Sequence, residues 1–71
     1  MKSKELPTIA KNIKKYRQKL DISQDRLSKL ADLSLNTIVK IELGESPNPT
    51  IETMQSIAKA LGVSVDDLLK K

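Results

Sequence analysis

Enzyme chemistry needs a nucleophile, a base or a metal ligand, and this chain of 71 residues has no cysteine and no histidine. That removes the commonest general base, the commonest metal ligand and every disulfide or thiolate site. Asp66 and Asp67 are the only adjacent acids. They sit in the run Ser64-Val65-Asp66-Asp67, which reads as a helix start. Acids there stabilise the helix dipole, and Asp67 takes the capping-box position usually held by Glu or Gln. With no Gly-rich phosphate loop either, catalysis is not expected, nor is a cofactor, a metal or a small-molecule substrate. What remains is recognition chemistry: the amides of Gln24 and Asn36, and a set of cations weighted to one half of the chain. Residues 1–40 carry a net charge of +6 and residues 41–71 a net −2, within an overall +4. A basic front half suggests a polyanionic partner. The lone aromatic residue, Tyr16, argues against a base-stacking platform for single strands.

These groups must be carried by helices, because no segment alternates as a strand would. Helical spacing of Ile9, Ile13, Tyr16 and Leu20 predicts a first helix beginning at Pro7, a residue suited to a first helical position. Ser23 caps a second helix with Leu27, Leu30 and Ala31 inward. Ser34 caps a third, and Gly44 stops it. The run Glu45 to Pro49, with two prolines, predicts a loop. Thr50 caps a fourth helix with an inner stripe of Ile51, Met54, Ile57, Ala58 and Leu61, ended by Gly62. Ser64 opens a short fifth helix containing Leu68 and Leu69. The expected fold is an all-α, compact five-helix domain over residues 7–69. A flexible basic segment, 1–6, precedes it and frayed lysines, 70–71, follow. No apolar run approaches the roughly 18 residues of a membrane span, and "MKSKELPT" lacks the apolar core of a secretory signal, so a cytoplasmic protein is expected.

The second and third helices are separated by only about three residues, a connection that forces a steep crossing. That is the helix-turn-helix arrangement, in which the second helix protrudes enough to enter a major groove. Spacing alone does not separate it from an ordinary corner between two helices. The third helix adds an oddity: Ile38 and Ile41 occupy its inner stripe, yet Leu35 and Val39 stand outside it beside Asn36 and Lys40.

The stretch "ISQDRLSKLADLSLNTIVKIELGESPNPTIETMQSIAKALGVSVDDLL", Ile22 to Leu69, resembles the helix-turn-helix family of phage repressors, Cro and XRE-type bacterial regulators. The most telling pieces are "SQ" opening helix two, "S" opening helix three, the ending "I-x-x-I-E-x-G", and "IAKALGVSVDDLL". With "IAKNIKKYRQKL" matching the family's first helix, the resemblance covers nearly the whole chain. It implies a DNA-binding transcriptional regulator, a repressor, with a recognition helix over 34–43. Leu35, Asn36, Val39 and Lys40 match base-facing positions, with Thr37 at their margin. Asn36 suits adenine, Lys40 suits guanine, and Leu35 or Val39 suits a thymine methyl. Arg17, Ser23, Gln24, Ser34, Ser46, Asn48 and Thr50 are the candidate phosphate contacts. Arg17 and Glu42 match positions that often pair, which makes Glu42 a support for the recognition helix.

The chain departs from the family in three places. Asp32 stands where many relatives have a turn glycine, and aspartate tolerates the left-handed conformation at some cost. Ser28 replaces a common alanine, and Leu43 and Glu45 replace basic residues that some relatives use on phosphate. One short helix reads few base pairs, so a homodimer on a palindromic operator is expected. Met54, Val63, Val65, Leu68 and Leu69 are its candidate interface residues. A protein-interaction module or an antitoxin subunit built on the same fold, with a regulatory partner protein, is the competing expectation.

Overall fold

The computed structural model describes residues 7–45 and 49–71. Every regular element among them is helical: α1 (Thr8–Lys19), α2 (Gln24–Ala31), α3 (Leu35–Glu42), α4 (Ile51–Leu61) and α5 (Val65–Leu69). No helix among the described residues is long and apolar enough to cross a membrane. The expected segment 1–6 and the phosphate candidates Ser46 and Asn48 lie outside the described residues.

Four of the five helices begin on a hydroxyl that accepts from the backbone three residues on. Ser23 Oγ accepts from Arg26 N, Ser34 Oγ from Thr37 N, Thr50 Oγ1 from Thr53 N and Ser64 Oγ from Asp67 N. Each satisfies one of the N–H groups a helix start leaves unpaired. At α5 the expected capping box is complete, because Asp67 Oδ2 accepts in return from Ser64 N at 3.1 Å. Pro7 precedes α1 as its N-cap rather than its first residue, and it makes no side-chain cap bond.

The core is a single cluster to which every helix contributes one fully buried side chain: Ile13, Leu27, Ile38, Ile57 and Leu68. Ala31, Ile41, Ala58 and Leu61 fill between them. Since a helix this short cannot persist in water alone, this shared cluster is what makes the five segments one body.

Three residues expected to point inward do not. Leu20, Leu30 and Ile51 are all about half exposed or more. Leu20 is the C-cap of α1, where the chain is already leaving the helix. Ile51 is the first residue of α4, one turn before the stripe engages the core. Leu30 has the right spacing, but the buried face of α2 is centred on Leu27, Ser28 and Ala31. Ser28 is accommodated there because its Oγ donates to the Asp25 carbonyl at 2.6 Å, leaving no buried hydroxyl unpaired.

Candidate nucleic-acid interface

The turn between α2 and α3 is made by Asp32, Leu33 and Ser34. Asp32 adopts φ 58, ψ 43, the left-handed stop that glycine takes most easily. The reversal is closed by Leu33 N donating to the Ser28 carbonyl at 2.8 Å, a six-to-one bond that uses an otherwise orphaned carbonyl of α2. Ser34 then starts α3, its Oγ also bonded to Thr37 Oγ1 at 2.8 Å. Ile38 and Ile41 hold α3 on the core.

That anchoring decides which residues α3 presents. Leu35 is 42% exposed, and Asn36 and Lys40 are exposed beside it. Thr37 and Val39 are half-buried at the edges of this face. The five residues therefore share one solvent-facing strip containing an amide, a cation and two apolar side chains. Such a strip offers donors to base edges and apolar contact to thymine methyls.

Behind the strip, Glu42 is a hub. Its side chain is 3% exposed and accepts from Arg17 Nε on Oε2 at 2.7 Å. Its Oε1 accepts from Arg17 Nη2 at 3.1 Å and from Gln24 Nε2 at 3.0 Å. Arg17 Nη1 donates onward to the Ile22 carbonyl at 2.9 Å. One carboxylate thus ties the end of α3 to α1 and to the first residue of α2. The fork geometry makes this a strong charge-assisted contact, and burial means that neither charge can be stranded cheaply.

The hub alters two sequence-based expectations. Arg17, expected to face a phosphate, has a side chain only 13% exposed, and three of its five N–H groups already donate inside the protein. Its observed part is to hold α3. Gln24 keeps its place at the N-terminus of α2, but its amide is oriented from within. A carboxylate only accepts, so Nε2 must face Glu42, and one Nε2 hydrogen stays available for another acceptor. Nothing in the local sequence signals this contact, which joins residues 18 apart.

The other phosphate candidates differ in what they still offer. The Ser23, Ser34 and Thr50 hydroxyls all serve as caps. Thr50 Oγ1 also donates to Thr53 Oγ1 at 2.9 Å, so its hydrogen is used within the helix. What these helix starts still present is backbone N–H, the usual anion-facing group there. An acid stands in the first turn of α2 (Asp25) and of α4 (Glu52), and none in that of α3.

Two of the five dimer candidates are corrected. Met54 is 6% exposed and Leu68 is fully buried, both inside the monomer. Leu68 is enclosed because α5 packs on α1 and α4 and turns it into the cluster. Val63 and Val65 are half-buried against that cluster, and Leu69 is exposed. A groove of about 460 Å³ lies between the C-terminal end of α2 and α4, lined by Leu30, Ala31, Asp32, Ser56, Lys59 and Ala60. It includes no α3 residue.

Asn12 is a structural residue that sequence reasoning missed. From α1 its Nδ2 donates to the carbonyls of Leu68 at 2.8 Å, Lys70 at 2.6 Å and Asp67 at 3.4 Å. It caps the C-terminal end of α5 from another helix. No local pattern could have announced it, because its partners lie more than fifty positions away.

Comparison with known proteins agrees with this geometry. Residues 13–68 match the family model described as helix-turn-helix. The chain is 35% identical over 63 residues to the control protein C.SmaI of Serratia marcescens, covering 89% of this chain and 74% of that protein. The N-terminal DNA-binding domain of SinR from Bacillus subtilis superposes with a TM-score of 0.86 at 30% identity, over 90% of this chain and 93% of that one. The P22 c2 repressor, solved in complex with a synthetic operator, gives 0.80 at 34% identity over 94% and 97%.

Proposed function

The chain belongs to the helix-turn-helix family of XRE type, and from that premise we propose that it is a sequence-specific double-stranded-DNA-binding transcriptional regulator acting as a repressor. The observation that carries this reading is the α3 strip. Leu35, Asn36 and Lys40 project from a short helix whose far side is locked by two buried isoleucines and the Glu42 hub. A rigid helix with a mixed polar and apolar outer face is what direct readout of base edges requires. Asn36 would take adenine, Lys40 guanine, and Leu35 and Val39 a thymine methyl. Gln24, together with the starts of α2 and α3, would grip flanking phosphates. The likeness to an operator-bound repressor points the same way.

Under the same proposal the active species is a homodimer reading two half-sites about one helical turn apart. Of the five candidate interface residues, Leu69 and the exposed edges of Val63 and Val65 remain available to it. Selection of bound sequences from a random duplex pool tests the reading. A palindromic motif with that spacing supports it, and absence of any enriched sequence refutes it. Asn36→Ala should then cost about 1–3 kcal/mol on the selected site and relax the preference at one base pair. Sedimentation that finds only monomer, with and without the selected duplex, would rule out the dimer.

A further inference from the structure

The outer face of α1 carries four exposed lysines and no carboxylate, and the α3 strip does not account for it. Lys11, Lys14, Lys15 and Lys19 are all exposed, and Thr8–Lys19 contains no Asp or Glu. Lys11 and Lys15, and Lys15 and Lys19, stand four residues apart, with Lys11 and Lys14 three apart. Each of these spacings brings like charges together and destabilises the helix that carries it. Elsewhere the chain uses the same spacings to opposite effect. Lys29 pairs with Asp25 at 3.1 Å and Lys70 with Asp67 at 3.7 Å. Among the described residues, none of the four α1 lysines pairs with a carboxylate. Lys19 has a charge-related contact of another kind, its Nζ lying 5.7 Å from the centre of the Tyr16 ring. A face that merely needed solvation would be served better by alternating signs.

Three contacts fix where this face lies. Ile13 points into the core, Arg17 reaches the end of α3, and Asn12 reaches the end of α5. At about 100° per residue, Lys11 and Lys15 fall nearly opposite Ile13, Lys14 falls on the Arg17 side and Lys19 on the Asn12 side. The lysine arc therefore begins beside α3 and runs over the back of α1 toward α5. A straight duplex seated on the α3 strip meets at most its Lys14 edge.

We propose that this arc is a second, sequence-independent surface for the phosphate backbone of duplex DNA lying outside the segment read by α3. The proposal rests on the reading above for its first DNA contact. Its partner follows from chemistry: uncompensated ammonium groups in a row match a line of phosphates, and released counterions supply the affinity. The DNA arrives as flanks of the bound duplex, bent toward α1.

The test compares the wild-type protein with the variant Lys11→Gln, Lys14→Gln, Lys15→Gln, Lys19→Gln on two duplexes carrying the selected motif. One ends at the motif and the other carries random flanks of roughly 15 base pairs, about 50 Å at 3.4 Å per pair, on each side. With helicity and melting temperature preserved, the variant should show a salt dependence of log affinity shallower by about 3 on the flanked duplex, and by no more than about 1 on the trimmed one. Equal slopes for the two proteins on the flanked duplex would overturn the proposal. An equal loss on both duplexes would overturn it too, by placing the lysines on the read segment. Co-sedimentation of two differently labelled duplexes on one protein, lost in the variant, would overturn it as well, by giving the lysines to a second duplex instead of the flanks. If the pool yields no motif, the reading of the α3 strip fails by itself, and the slopes on a random duplex of the flanked length still judge the arc.

Discussion

Replacing Glu42 by alanine would remove the acceptor of three hydrogen bonds and leave the Arg17 guanidinium, 13% exposed, facing a void with only the Ile22 carbonyl as partner. Breaking a buried ion pair from one side costs about 3–5 kcal/mol, because the remaining charge has lost both its partner and its water. A chain of this length has on the order of 4–10 kcal/mol in total, so Glu42→Ala should consume about half its stability or more. In a domain this small each kcal/mol is worth roughly 4–8 °C, which predicts a fall in melting temperature of about 15–30 °C. Far-UV circular dichroism during thermal and urea unfolding reads this directly. The sharper arm is the double variant Arg17→Met with Glu42→Leu, which removes both charges and keeps most of the volume. It should cost much less than Glu42→Ala, since it strands no charge. Glu42→Gln, which keeps one acceptor oxygen, should fall between them. A cost below about 1 kcal/mol for Glu42→Ala, or a double variant as costly as its parts combined, would refute the claim that the hub is a desolvated, interdependent unit.

Other consequences follow from single contacts. Asn12→Leu should cost about 1–3 kcal/mol, because it strands the carbonyls at the end of α5, and hydrogen exchange should show α5 amides losing protection before those of α2 and α3. Leu68→Ala should cost about 2–5 kcal/mol while its neighbour Leu69→Ala stays within about 0.5, and equal costs measured by urea unfolding would contradict the assigned burial. The Asp67 carboxyl is held below its ordinary 3.8, first by the Ser64 backbone N–H, then by the Ser64 hydroxyl and Lys70. Its folded value is depressed, so its contribution is present above that ordinary value and is lost as pH falls through the folded one. Asp67→Asn should therefore weaken the protein near neutrality and make little difference in strong acid, and a gap independent of pH would count against the capping box.

Much of this protein was legible from local pattern, because helices announce themselves within a few residues. Hydroxyl caps at Ser23, Ser34, Thr50 and Ser64, the left-handed stops, the short turn between α2 and α3, and the capping box at Asp67 all involve partners within about one helical turn. Ile38 and Ile41 as anchors, with Leu35, Asn36 and Lys40 left outside, follow from the same period. The pairing of Arg17 with Glu42 was expected only through family resemblance, and the geometry bears it out.

What the tertiary structure decided is where periodicity stops being informative. Leu20, Leu30 and Ile51 have the spacing of core residues and are exposed, while Met54 and Leu68, candidates for a dimer interface, are enclosed within the monomer. Spacing says which residues share a face; it does not say how far a neighbouring helix extends over that face. Asn12 on α5, Gln24 on Glu42 and the enclosure of Arg17 likewise exist only because the core brings distant helices together. The chain alone determined which residues of α3 stand outside its anchored stripe. Packing determined which side chains are held, because burial, unlike capping, is a property of several helices at once.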